Sequence, residues 1–288
     1  LTASAGDGYV MLSWNDDADK LTRDPFLGNV NDFEGYKLFR ATDKYFSDAE
    51  VITDGYGTPT FMKPIFQCDI KDGKMGFTDF GLINGVAYNL GFDSGITHVF
   101  VDENVVNGRT YYYGLVAYDY GAPNIGPGIA PSENNVVVEL DEAEEVRSIG
   151  KNVAIVTPTK PAAGYRSPDV SILIDNIGGG GTVTPSILAQ GSLVDNARYR
   201  VEFNVDTISN ISSYDYSVKF ATSEINVYNL SSNKLVYSET PSNFISSNLL
   251  YNDSLSYWYI NDESVITTDV FEGIQLEIDQ TAVEPTYD

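Results

Sequence analysis

Apolar side chains occupy every second position in several short stretches of this chain. Residues 9–14 alternate in this way, with Val10 and Trp14 on the same side. Residues 33–40 and 110–120 continue the alternation, and the latter hold the densest run of Tyr and Val. Because consecutive side chains of a β-strand point to opposite faces, this period of two predicts half-buried strands.

Turn-forming residues separate the alternating stretches. Residues 43–61 are predicted to be a loop, and Pro64 is expected to bend the strand predicted for residues 61–70 or to place it at a sheet edge. The stretches 15–32 and 71–95 are predicted insertions, the second an inserted loop or hairpin. The other predicted strands are 98–102, 134–140, 152–157, 170–174, 197–205, 214–221, 225–229, 234–239, 256–260 and 273–278.

The succession of short strands without helical stretches between them decides the fold class. It predicts an all-β protein built from sandwiches, rather than a parallel sheet covered by helices. The acidic run at 141–145 marks a change towards a composition rich in Asn, Ser and Gly. We therefore predict a β-sandwich with insertions over 1–141, an acidic linker over 142–151 and a second β-sandwich-like domain over 152–288.

Three motifs of the first domain resemble those of fibronectin type III domains. They are Val10-x-Leu12-Ser13-Trp14, Gly35-Tyr36-Lys37-Leu38-Phe39-Arg40 and Tyr111-x-Tyr113-x-Leu115-Val116-Ala117. The resemblance implies that Trp14 packs under the core and that the Tyr-rich motif is strand F of the family. It also implies a turn like the family's tyrosine corner at residues 107–111.

Four further motifs resemble a narrower group, the long secreted proteins of environmental Gram-negative bacteria that often end in a type IX secretion sorting domain. These motifs lie at residues 24–26, 32–36, 52–57 and 107–113. The resemblance implies an extracellular or cell-surface location, although this sequence contains no sorting domain. Its abrupt first and last residues lead us to expect a piece of a longer polypeptide.

Charge narrows the range of partners. The chain has 17 basic and 41 acidic residues, a formal net charge of −24, and both halves share the excess. Such a surface repels the phosphates of nucleic acids and anionic membranes, so neither is expected as a partner. The sequence contains no apolar stretch of about 18 residues, so no membrane insertion is expected either.

The residue types that most catalytic sites require are scarce. His98 is the only histidine and Cys68 the only cysteine. His98 begins an alternating strand and is expected at the core or at an edge, while Cys68 is expected to be a small core residue. The glycine run at 178–181 lacks the Lys and Ser or Thr of a phosphate loop and is predicted to be a flexible loop. We therefore predict no enzyme activity.

A crowded acidic loop is the best candidate for a ligand site. Asp16, Asp17, Asp19 and Asp24 lie close together in the sequence. Calcium prefers hard oxygen ligands in a flexible loop, so these four carboxylates are candidate Ca²⁺ ligands, and calcium is the only cofactor considered. The alternative is an acidic loop that is simply solvated.

An aromatic run near the end of the chain offers a second candidate. Tyr257, Trp258 and Tyr259 alternate within a predicted strand, so aromatic rings face both of its sides. Trp258 is either a core residue or a platform on which a sugar ring stacks. The run is thus a candidate glycan or interaction surface.

Together these features predict a non-catalytic structural or adhesive module of a secreted or cell-surface bacterial protein. Its expected partners are other copies of itself, other surface proteins or glycans, and it is a candidate subunit of an extracellular fibre or surface layer. One alternative is a carbohydrate-binding accessory module of a secreted hydrolase. A hydrolase itself would need a cleft with two converging carboxylates.

Overall fold

The computed structural model describes residues 1–25, 27–28, 30–53, 56, 58–83, 85–172, 182–209, 218–240 and 265–279. The chain divides into two compact units, Leu1–Tyr165 and Arg166–Asp288. Both units consist of antiparallel sheets, which confirms the all-β prediction. Within the described ranges, no helix has the length and apolar character needed to cross a bilayer.

Among the described residues of the first unit, one short helix, α1 (Asp17–Leu21), lies between the second and third strands. The strands described in this unit are β1 (Thr2–Ala5), β2 (Val10–Ser13), β3 (Phe33–Ala41), β4 (Val51–Thr53), β5 (Pro59–Met62), β6 (Phe66–Asp69), β7 (Gly76–Ile83), β8 (Val86–Gly91), β9 (Val99–Asp102), β10 (Tyr111–Asp119), β11 (Val138–Leu140), β12 (Val146–Ile149) and β13 (Val153–Val156).

Two sheets form the body of the first unit. One has the order β1-β2-β9 and the other the order β13-β10-β3-β6. The core between them takes the alternate side chains that the sequence pattern placed on one face, among them Leu12 from the first sheet and Tyr36 and Tyr113 from the second. Trp14 packs against Tyr36 with their ring centroids 5.8 Å apart, so it joins this core as expected.

A buried carboxylate ties the two sheets together. Asp102 of β9 is 4 % exposed, and its two oxygens accept hydrogen bonds from Nη1 of Arg40 on β3 at 3.0 and 2.9 Å. The hydroxyl of Tyr113 on β10 donates to Oδ2 of the same carboxylate at 2.8 Å. Because a buried charge is tolerated only when it is paired and hydrogen-bonded, these three residues must be in register.

The turn into β10 is held by its first tyrosine. Gly108 has a φ of +83°, a value that favours glycine, and it permits the tight reversal of the chain. The hydroxyl of Tyr111 then accepts a hydrogen bond from the backbone N–H of Val106 at 2.9 Å.

Three hairpins are added to the two sheets. Strands β4 and β5 pair within the stretch predicted to be a loop, and Lys63 to Ile65, which include Pro64, separate β5 from β6. Strands β7 and β8 form the inserted hairpin that residues 71–95 suggested. Strands β11 and β12 form the third hairpin, and the acidic run at 141–145 is its turn rather than a linker.

The boundary between the units therefore lies further along the chain than the sequence predicted. The strand predicted at 134–140 is shorter, Val138–Leu140, and pairs with β12, whereas β13 extends the four-stranded sheet by pairing Val153–Val156 with Tyr111–Gly114 of β10. The stretch 152–157 is indeed extended, yet it belongs to the first unit. The apolar pattern of residues 152–157 is compatible with either unit, so the unit to which they belong depends on the strand with which they pair.

In the described parts of the second unit, two three-stranded sheets have the orders β14-β19-β18 and β15-β16-β17. Their core includes Ile225, Val227, Leu276 and Ile278. The strands described here are β14 (Thr182–Ile187), β15 (Tyr199–Ser209), β16 (Val218–Asn229), β17 (Lys234–Glu239), β18 (Val265–Thr267) and β19 (Ile274–Asp279).

Several predictions for the second unit need correction. Residues 218–221 and 225–229 lie in one long strand, β16, whose partner has a bulge at Asn204/Val205, and residues 214–217 lie outside the described residues. Strand β14, which begins directly after the glycine run, is not among the predicted strands. Residues 170–172 are not in a strand, whereas 173–174 and the predicted strand 256–260 lie outside the described residues.

We expect Asp102→Asn to lower the free energy of unfolding by about 3 kcal/mol, because Arg40 would lose its buried counter-charge. Urea titration followed by circular dichroism measures this change. Glu50→Gln is the matched control, since the Lys63–Glu50 pair is 61 % and 73 % exposed and should leave the midpoint unchanged. Equal midpoints for Asp102→Asn and the unaltered chain would contradict the assigned role.

Candidate functional site

The four aspartates proposed for calcium do not converge. Asp16 pairs with Nζ of Lys20 at 2.7 Å, and a carboxylate oxygen of Asp17 accepts a hydrogen bond from the side chain of Asn15. Asp19 lies towards the core, and Asp24 forms a backbone bridge with Val30. Across the described ranges, no three His, Cys, Asp or Glu side chains are grouped so that they could hold a metal ion. Calcium binding by these four residues stays a prediction.

The single cysteine lies in the first core, and the single histidine packs against Trp14 and Tyr36 of that core. Oδ1 of Asp19 is 3.3 Å from Nε2 of His98 and accepts a hydrogen bond from the Tyr36 hydroxyl at 2.8 Å. Cys68 is 1 % exposed, its thiol donates to the carbonyl of Thr97 at 3.6 Å, and burial raises its pKa to about 11. Cys68 is thus a protonated core thiol, as the sequence indicated. Histidine, aspartate and tyrosine fix the short helix α1 against the core.

Two other sequence candidates are not described. Tyr257, Trp258 and Tyr259 lie outside the described residues, and so does the glycine run at 178–181. Their predicted roles stay predictions.

A buried lysine lies between the inserted hairpin and the outer face of the four-stranded sheet. Lys37 follows Tyr36 and precedes Leu38, both of which face the core, so its own side chain points outward. Its Nζ lies 3.6 Å from the ring centre of Tyr88 on β8 and 4.6 Å from that of Tyr118 on β10. We call Lys37, Tyr88, Tyr118 and Glu133 the lysine cluster.

Glu133 supplies the counter-charge of the lysine cluster. Its Oε2 is 3.6 Å from Nζ of Lys37 and accepts a hydrogen bond from the Tyr88 hydroxyl at 2.8 Å. Burial of Lys37 lowers its pKa to about 8, and the nearby Glu133 carboxylate partly offsets this effect. Burial beside the same carboxylate raises the pKa of Tyr88. The ammonium ion is therefore held by two rings and one carboxylate.

The Tyr118 hydroxyl joins the sheet to the hairpin. It accepts a hydrogen bond from Nε2 of Gln67 at 2.8 Å and donates one to the carbonyl of Leu90 on β8. A Cβ atom at Gly35 would lie 2.7 Å from this hydroxyl, so glycine is required where the two rows of side chains meet. Tyr88, Leu90 and Tyr118 also form a small apolar core of their own.

A second polar group lies where the chain enters and leaves the hairpin. Asp69 is 1 % exposed and accepts hydrogen bonds from the backbone of Asp93 and from the backbone and hydroxyl of Ser94, at 2.6 to 2.7 Å. Glu34 is fully buried beside it, and neither of its carboxylate oxygens has a hydrogen-bond partner among the described residues. We call Glu34, Asp69, Asp72 and Asp93 the acid cluster.

The environment of Glu34 disfavours its ionised form. Burial is the main cause that raises its pKa to about 7, and the negative charge of Asp72 adds to it. Nζ of Lys74, 4.0 Å from Oε2, opposes the shift. The carboxyl group of Glu34 therefore changes its charge near neutral pH.

Three large apolar side chains are exposed at the base of the hairpin. Phe77 is 66 % exposed and Met75 57 %, and the 76 %-exposed Phe92 follows β8 directly. Since Gly76 pairs with Gly91, Met75 and Phe92 flank this pair at the base of the ribbon. We call Met75, Phe77 and Phe92 the hairpin patch. Isolated exposed apolar residues are common on protein surfaces, whereas a contiguous group indicates an interaction site.

Sequence reasoning identified the insertion but none of these three groups. Lys37 and Glu34 appear in the sequence as ordinary members of an alternating strand, and strict alternation puts Glu34 on the side of Tyr36 and Leu38, opposite Lys37. The register of β3 shifts against Tyr118/Asp119 of β10, and the sequence does not show this bulge. The one available signal was the charge of Lys37 on the non-core face of an otherwise apolar strand.

Comparison of the chain with protein families, with curated proteins and with solved structures finds no match.

We expect the stability of the chain to rise between about pH 8 and pH 10.5 relative to that of Lys37→Met. In this window the folded chain has released the proton of Lys37 while the unfolded chain keeps it, so raising the pH favours folding. The full difference is about 3 kcal/mol or less. Urea titrations of both proteins at pH 7 and pH 10 measure it, and a pH-independent difference would contradict the burial of a charged lysine.

Proposed function

We propose that the chain is a non-catalytic structural and adhesive module of a secreted or cell-surface bacterial protein, which associates with other copies of itself through the hairpin patch. The exposure of Met75, Phe77 and Phe92 on one inserted hairpin is the observation that carries this proposal. The fold and the charges around the patch support it.

The strand order of the first unit supports the proposed fibronectin type III-like scaffold. A three-stranded sheet faces a four-stranded one, and sandwiches of related architecture are common in cell-surface domains. The hydrogen bond from the Val106 N–H to the Tyr111 hydroxyl resembles a tyrosine corner, in which a tyrosine at the start of strand F bonds to the backbone a few residues upstream. Such scaffolds bind through their loops and insertions, which is where the patch lies.

The edge of the hairpin suits pairing between copies. Within the described part of the chain, β7 pairs only with β8, so its other edge is open to a further strand. An open edge beside exposed apolar side chains favours association with a second strand of the same kind.

The charges around the hairpin patch are also compatible with contact between two copies of the chain. Although the whole chain is strongly acidic, Lys71 and Lys74 stand near Asp72 and Asp79 around the patch, and all four are exposed. In a two-fold contact each patch meets its own copy, so a lysine of one copy can approach an aspartate of the other. Mixed charge at the rim therefore reduces the repulsion expected from the net charge.

We expect Phe77→Ser combined with Phe92→Ser to weaken self-association of the chain at least tenfold. Two large apolar side chains buried in a contact contribute about 1.5–3 kcal/mol each, and serine removes most of this. Sedimentation velocity over a range of protein concentrations measures the association constant, and electron microscopy shows whether the assemblies are ordered.

Leu21→Ser is the matched control, because Leu21 is 71 % exposed on α1, outside the patch, and its replacement should leave association unchanged. A chain that stays monomeric at all concentrations would overturn the proposal. Monomers retained on insoluble polysaccharide would instead support the carbohydrate-binding module suggested by Tyr257, Trp258 and Tyr259.

A further inference from the structure

The carboxyl group of Glu34 occupies the place where the inserted hairpin is anchored. Glu34 lies near the start of β3, and its backbone carbonyl accepts a hydrogen bond from the N–H of Ile70 at 2.9 Å. The segment that begins at Ile70 leads into β7, so the strand beneath and the entrance of the hairpin are directly bonded at this residue.

The two ends of the hairpin are tied to each other beside Glu34. Oδ1 of Asp93, in the segment that leaves β8, accepts hydrogen bonds from the backbone N–H groups of Asp72 and Gly73 at 3.2 and 3.0 Å. Asp69 in turn holds the backbone of Asp93 and Ser94. Both anchoring residues are acidic, so the anchor brings negative charge close to Glu34.

The charged and titratable groups around Glu34 come from each neighbouring element. Asp69 belongs to β6, Asp72 and Lys74 to the segment entering the hairpin, and Asp93 to the segment leaving it. From β10, the Tyr118 hydroxyl also lies near, and the ring of Tyr120 is 4.1 Å from Nζ of Lys74. Glu34 thus has three neighbouring carboxylates and one neighbouring ammonium group, that of Lys74. This ammonium group also contacts Asp72.

We propose that Glu34 is a proton-controlled latch, which keeps the β7–β8 hairpin docked on the sheet while its carboxyl group is protonated and releases it once the carboxylate is ionised. A neutral carboxyl group fits a buried position without a bonded partner far better than a charged one. Opening of the hairpin hydrates the carboxylate and moves it away from Asp72 and Asp93. The latch does not depend on self-association, because it concerns only how the hairpin is held.

The direction of the pH effect follows from the linkage between protonation and folding. Docking raises the pKa of Glu34 from its ordinary value near 4.5 to about 7, so the docked hairpin binds the proton more tightly than the open one. Raising the pH between these two values therefore favours opening. Lys37, under the same hairpin, titrates only above this range.

Hydrogen exchange measured by mass spectrometry on the full chain tests the latch. Protection factors for peptides within 76–91 are compared at pH 5 and pH 7.5 after correction for intrinsic exchange rates. We expect protection of the hairpin to fall about tenfold or more at the higher pH, since a shift of two or more pKa units permits a larger change. Peptides from β3 and β10 serve as the internal reference and should keep their protection.

Glu34→Gln removes the proton equilibrium while keeping the shape of the side chain, and it should make hairpin protection independent of pH over this range. Glu142→Gln is the control for the change in net charge, because Glu142 is exposed in the β11–β12 turn. Its pH dependence should match that of the unaltered chain. Equal hairpin protection at both pH values in the unaltered chain, or a pH dependence that persists in Glu34→Gln, overturns the proposal.

Lys74→Met provides a second test that does not require Glu34 to be replaced. Without the ammonium group, ionised Glu34 has less compensation, so hairpin protection should drop below that of the unaltered chain at pH 7.5 and equal it at pH 5. Identical protection of the two proteins at pH 7.5 contradicts the latch.

Discussion

The first unit depends on a carboxylate shared by its two sheets. Asp102 on β9 binds Arg40 on β3 and Tyr113 on β10, so one side chain sets the position of three strands. Hydrophobic contacts between sheets tolerate small sliding movements, because they have little directional preference. Hydrogen bonds to a buried charge do not tolerate them. The sandwich can therefore carry long insertions at its periphery without losing the register of its core.

The inserted hairpin changes the chemistry of the face that it covers. Without the covering insertion, Lys37 and Glu34 would be ordinary solvated side chains of β3. Beneath the hairpin both are buried, and the pKa of Lys37 falls to about 8 while that of Glu34 rises to about 7. The two shifts have a common cause, the loss of water, and they have opposite signs because one group is a cation and the other an anion.

The alternation of side chains was sufficient to predict the strands around Val10, Leu38 and Tyr113 and the all-β class. The alternation did not show which unit β13 belongs to, because this depends on the strand with which β13 pairs and its pattern fits either unit. It also failed for the lysine cluster and the acid cluster, since burial of the outer face depends on where residues 76–91 fold. Proximity in sequence does not by itself bring the carboxylates at 16–24 together, since Asp19 lies beside His98 and Tyr36.

The two-residue period of a strand relates the packing of the hairpin on the sheet to the exposure of Phe77. Tyr88 and Leu90 point towards the sheet, while Phe77, whose paired residue Asn89 lies between them in sequence, points away from it. A slip of one residue would turn Phe77 towards the sheet and expose the anchoring side chains, so a hairpin that is docked in register presents Phe77. An ionised Glu34 weakens the anchor without touching the patch. Proton binding by Glu34 therefore takes place on the face of the hairpin that packs on the sheet, and self-association uses the opposite face. The two processes are related only through the register of the hairpin.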